Sequence, residues 1–130
     1  MISAMAILLC CLAVPAADAT DTAEGRHLFR IYCTGCHGNA AKGDGPAAAE
    51  LQSPPPDLTL LSKYNDGEFP REVVARKISG LEQSPGHSAG AMPLWSFNWM
   101  ETGSDTDQRA VVEVRIRQLV RYLESVQNLK

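Results

Sequence analysis

The strongest constraint on this 130-residue chain is five residues long: Cys33-Thr34-Gly35-Cys36-His37. On a helix, residues three and four apart share a face. Two sulfurs and an imidazole therefore point the same way from a single turn. Whatever the rest of the chain folds into must leave room for the object they meet.

Three chemistries use such a cysteine pair. A thiol–disulfide centre normally comes with a βαβ pattern, and no strand-like alternation is visible along this chain. A zinc site wants four ligands, and the only other cysteines, Cys10 and Cys11, lie in an apolar N-terminal run. The third is covalent haem attachment, whose pattern is C-x-x-C-H. There the two thiols reach the vinyl-derived carbons of one porphyrin as thioethers, and His37 places a ring nitrogen on the iron. This reading is adopted: one haem c, bound covalently by Cys33 and Cys36, with His37 as an iron ligand.

The N-terminus agrees with it. Met1 to Leu12 is almost wholly apolar but too short to span a bilayer, and Ala17-Asp18-Ala19 is a small-x-small cleavage pattern. Residues 1–19 are expected to be a secretory signal peptide cut after Ala19, and residues 20–130 the mature domain. An uncleaved anchor is the alternative; a lipoprotein is a poorer one, since bulky Leu9 precedes Cys10. Export implies an oxidising compartment, where two nearby thiols need a reason to exist.

Composition sets outer bounds. The length suits one domain. With 45% hydrophobic and 21% charged residues, the chain is an ordinary globular one. A net charge of −3 and twelve dispersed basic residues give no grip for nucleic acid.

The remaining chain reads as helices and loops. Helix one is expected from about 22 to 36, with Asp21 and Glu24 as a capping box. A glycine-rich loop covers 38–46, followed by a short helix over 47–51 and an extended run of prolines to Asp57. Leu58, Leu60 and Leu61 are expected to face the core. Pro70 should open a helix over 70–79 that Gly80 ends. Residues 82–91 and 102–106 are loops. On the last helix Val112, Ile116, Leu119, Val120, Leu123 and Val126 form one stripe. Glu113, Arg117, Arg121 and Glu124 on the other side read as a solvated face. Asp105 with Gln108 resembles its capping box.

The iron's second axial position decides the function. Met92, Met100, His87 and His27 compete for it. His27 lies on helix one and does not easily reach the far side of the ring. His87 sits in a glycine- and serine-rich loop and could swing in. Met100 has no special framing. Met92 follows a glycine-rich approach and precedes Pro93, which stiffens the chain beside it; it is the favoured ligand. A thioether favours Fe(II), so a His37/Met92 pair raises the potential. With both positions filled, no substrate reaches the iron. That describes an electron carrier and not an enzyme. An open site, for catalysis or gas sensing, requires that Met92 not bind.

From about residue 21 to 127 the chain resembles the small class I c-type cytochromes of the bacterial periplasm. CTGCHG, KGDGP, PPPDLT, AMPLW and RQLVRYLESV carry the likeness in order. The resemblance implies an all-α fold, the cytochrome c fold, with three to five helices wrapped around one covalent haem and the terminal helices crossing. It implies that Gly25 and Phe29 meet Tyr122 at that crossing. It implies that the Pro46 carbonyl accepts a hydrogen bond from His37, and that Trp95 packs by the haem propionates. It further implies a periplasmic one-electron carrier serving a donor and an acceptor protein, without a membrane span after cleavage. The alternative is a subunit of a larger oxidoreductase complex, slightly favoured by the aromatics of Phe97–Trp99. The stretch Ser96–Asp107 is longer than a minimal carrier needs.

Overall fold

The computed structural model describes residues 16–81, 92–100 and 106–128. Residues 1–15 with Cys10 and Cys11, the 82–91 loop with His87, and residues 101–105 with Asp105 lie outside the described residues. The described chain forms α1 (Ala16–Tyr32), α2 (Thr34–His37), α3 (Arg71–Ser79), α4 (Trp95–Asn98) and α5 (Thr106–Ser125), with 3-10 turns at Ala48–Glu50 and Leu58–Leu60. There is no strand among the described residues, and the fold is all-α. None of these helices is long and apolar enough to cross a membrane.

The α1/α5 pair is the frame. The predicted stripe is right: Val112, Ile116, Leu119, Val120 and Leu123 are buried, and Val126 packs against them. Phe29 and Leu119 are each only 1% exposed. Burying such a side chain stabilises by roughly 1.5–3 kcal/mol. The Phe29 and Tyr122 rings meet at 5.3 Å, tilted by 52°. Gly25 is what lets the helices come this close. A Cβ there would lie 1.9 Å from the Gln118 carbonyl oxygen and 2.9 Å from the Tyr122 Cβ. The helical glycine, which costs about 1 kcal/mol against alanine, thus permits the crossing.

Helix one differs from expectation at both ends. It starts at Ala16, where alanines favour helix and Asp18 lies in the first turn, against the positive end of the dipole. Asp21 is therefore inside the helix and caps nothing. Its carboxylate instead accepts from Arg117 Nε at 3.2 Å and pairs with Arg121 Nε at 3.3 Å. Arg121 also pairs with Asp18, and Arg71 with Glu124. Arg117, Arg121 and Glu124 are thus not simply solvated: the two arginines rim the seam and Glu124 faces Arg71, while Glu113 remains exposed. At the other end α1 stops at Tyr32. The Thr34 hydroxyl bonds the Arg30 carbonyl at 2.9 Å, the kind of back-bonding that bends a helix.

Further along, α3 follows the predicted span with Pro70 as its N-cap residue. Gly80 ends it with φ +82°, its N–H on the Lys77 carbonyl and that of Leu81 on the Arg76 carbonyl, a Schellman arrangement. Helix α4 was not expected; one turn is too short for periodicity to reveal. The C-terminal residues are tied back to the 58–62 segment. Gln127 Nε2 donates to the Leu58 carbonyl at 2.8 Å, and its Oε1 accepts from the Ser62 N–H at 2.9 Å.

Candidate functional site

The attachment motif is locked in place by the loop that follows it. Three backbone N–H groups of that loop return to the motif's carbonyls: Ala47 to Gly35 at 2.9 Å, Gly45 to Cys36 at 3.1 Å and Gly43 to His37 at 2.9 Å. Gly45 has no room for a side chain, since a Cβ would lie 2.4 Å from the Gly35 oxygen. Leu58 closes the far end by donating its N–H to the Ala41 carbonyl at 2.8 Å. The KGDGP segment therefore acts as a splint around the helical turn that bears the sulfurs.

In front of that turn lies a cleft in two joined parts, enclosing about 920 Å³ and about 590 Å³ with their open mouths. Cys33, His37, Met92, Trp95 and Pro56 line both parts. Cys36, Tyr32 and the 54–56 prolines complete the outer part; Phe29, Leu58, Leu61, Val74, Ile78 and Leu119 wall the inner one. The wall is almost wholly apolar, and the motif's two sulfurs reach it from one side.

His37 is buried, with 8% exposure, in this apolar setting. Burying an imidazole there is unfavourable unless its nitrogens are engaged. The bond expected from its ring to the Pro46 carbonyl is not formed. Nδ1 has no hydrogen-bond acceptor among the described residues, although the residue makes other contacts. Pro46 itself is exposed and lines neither part of the cleft. Its loop reaches the motif through the neighbouring Gly45 and Ala47 amides instead.

The thiol of Cys33 is pushed up to about 12, by burial first and then by the neighbouring Cys36. A redox-active thiol needs the opposite shift. No group of three or more His, Cys, Asp or Glu gathers to hold a metal ion among the described residues. Neither the thiol–disulfide reading nor the zinc reading gains support. An apolar slot with two sulfurs, a buried imidazole and a thioether on its walls does fit a flat, largely apolar macrocycle that carries iron.

Of the candidates for the iron's second ligand, Met92, Met100 and His27 are among the described residues and His87 is not. Met92 is half-buried and lines both parts of the cleft with His37. Met100 packs against the core but lines neither part, and His27 is exposed on α1. Trp95 is a cleft wall, and two aromatic side chains pack around it. Its ring meets Tyr32 at 5.2 Å and Trp99 at 5.3 Å, and Tyr32 meets Trp99 at 5.4 Å. The Arg115 guanidinium sits 5.7 Å from the Trp99 ring centre. The clue in the sequence was the i, i+4 spacing of Trp95 and Trp99. Trp99 Nε1 is buried with no acceptor among the described residues, which costs about 1–3 kcal/mol.

The comparisons with known proteins agree with this geometry. The family model described as Cytochrome c matches residues 22–127. No curated protein and no solved structure matches the chain. The match covers most of the sequence, and the chain belongs to the cytochrome c family. Its role is haem-based electron transfer, and its cofactor is a covalently attached haem c, with Cys33 and Cys36 in the attachment motif.

Proposed function

We propose that this cytochrome is an exported, periplasmic one-electron carrier whose haem iron is held by His37 and Met92. The observation that carries the reading is that Met92 shares the cleft with Cys33, Cys36 and His37, whereas Met100 and His27 line no part of it. When bound, the haem supplies an Fe(II)/Fe(III) couple. The chain's residues do the rest. His37 and Met92 occupy the positions a substrate would need. The apolar wall of Leu58, Leu61, Val74 and Leu119 excludes water and so penalises the extra charge of the ferric state. Both effects raise the potential and keep the redox change free of bond making. The donor and the acceptor are redox proteins, and the signal peptide over residues 1–19 places the meeting outside the cytoplasm.

The alternative of a permanently bound oxidoreductase subunit drew on the aromatics of Phe97–Trp99. Trp99 is half-buried against Trp95 and Tyr32 rather than offered outward, so that support weakens. The test is potentiometry combined with carbon monoxide exposure of the reduced protein. A reversible one-electron couple with no rapid binding of carbon monoxide is expected. Immediate binding would mean an open iron and would overturn the carrier reading.

A further inference from the structure

Residues 92–100 carry Met92 and rest on the body at three places. Leu94 lies over Gly80, where even a Cβ would come within 2.5 Å of it. The Ser96 hydroxyl donates to the Ser79 carbonyl at the end of α3. Trp95, which opens α4, and Trp99, just after its end, wedge between Tyr32 of α1 and Arg115 of α5. The first two contacts tie the arm to α3 alone. The third ties it to the α1/α5 frame, where the C-terminal end of α1 leads directly into the haem-binding turn.

We propose that Trp99 and Arg115 are positioning residues that clamp the Met92 arm to the α1/α5 frame and so set how firmly Met92 stays on the iron. This rests on reading Met92 as the second axial ligand. Trp99 lines no part of the cleft, so it acts through Trp95, which does. Arg115 closes the stack from outside, its cation over the face of the indole. Neither residue touches the iron or the macrocycle's sulfur bonds. Their effect is on the balance between a Met92-on and a Met92-off population, with the off state the one that an outside ligand can enter.

That balance is measurable in the intact haem protein. Imidazole added to the ferric form binds only the off state, so its apparent affinity scales with that state's population. Trp99→Leu removes the stacking and should tighten apparent imidazole binding about tenfold. It should also weaken the far-red charge-transfer band of methionine-bound ferric haem at unchanged haem content. Trp99→Phe keeps a six-membered aromatic ring for the stack while losing the fused pyrrole with its N–H that has no acceptor among the described residues; it should stay within about twofold of wild type. Arg115→Gln should give an intermediate tightening of about threefold, and it carries the test if Trp99→Leu does not accumulate with haem. Unchanged imidazole affinity in Trp99→Leu, or in Arg115→Gln when that variant carries the test, overturns the clamp. So does a Trp99→Phe protein as loose as Trp99→Leu. A wild-type protein lacking the far-red band overturns the Met92 assignment and the clamp together.

Discussion

The α1/α5 seam and the Met92 arm border the same cleft but are held in different ways. The seam is a broad apolar interface, centred on Phe29, Leu119 and Tyr122 and rimmed by Asp21, Arg117 and Arg121. Its stability is spread over many contacts, so no single rim contact decides it. The arm has one turn of helix, one side-chain hydrogen bond and one aromatic stack. Covalent attachment belongs to the frame side, where two sulfurs and His37 leave α1 together. The arm brings Met92, the proposed second ligand, to the same cleft.

Substitutions in the seam should unfold the protein, and substitutions in the arm should change the site first. The largest effect is expected of Gly25→Val. Its side chain would fall on the Gln118 backbone and force the helices apart. We expect a loss of about 4 kcal/mol or more, read as a fall of at least ~10 °C in the melting temperature of the haem protein. A melting point within a few degrees of wild type would mean the helices do not cross as described. Leu119→Ala comes next, at about 3 kcal/mol. Leu119 belongs to both the seam and the inner cleft wall. Urea denaturation should therefore show lost stability, and potentiometry a lowered potential as water gains access.

Ser96→Ala should cost only about 1 kcal/mol, and locally. Hydrogen exchange at the Asn98 and Trp99 amides, which bond the Leu94 and Trp95 carbonyls, should quicken while α5 amides keep their protection. Equal acceleration in both would erase the distinction between arm and frame. The smallest effect is expected of Asp21→Asn, about 0.5 kcal/mol, because its arginine partners are 53% and 38% exposed and surface ion pairs contribute little. Its unfolding midpoint should be nearly independent of salt, whereas the wild type should lose that small increment as salt rises.

The same contrast explains what the sequence could tell. The frame was legible because it rests on periodic patterns: the α5 stripe at helical spacing and the attachment motif itself. The glycine at 25 looked costly from sequence, and the resemblance to known cytochromes supplied its partner, Tyr122. Where the reading failed, a local signal was outvoted. Asp21 and Glu24 have capping-box spacing, yet in the full chain Ala16 to Ala19, residues the proposed cleavage would remove, extend the helix beyond them, and Asp21 faces Arg117. Arg117 and Arg121 look like a solvated face until the partner helix supplies carboxylates. Pro46 stands between the Gly45 and Ala47 amides, which donate to the Cys36 and Gly35 carbonyls and offer His37 Nδ1 no acceptor. The arm was least legible: a single turn has no period, and a stack of Tyr32, Trp95, Trp99 and Arg115 joins three elements far apart in sequence. Met92 drew attention in the sequence because glycines before it and a proline after it frame it locally, and it lines the cleft.

One comparison bears most directly on the arrangement of ligands around the iron. The far-red absorption of the oxidised haem protein should be recorded for wild type, Met92→Ala and Met100→Ala. The band should be present in wild type, persist in Met100→Ala and vanish in Met92→Ala, with the potential falling in that variant alone. A band that survives in Met92→Ala would place a different side chain on the iron and contradict the pairing of His37 with Met92 across the cleft.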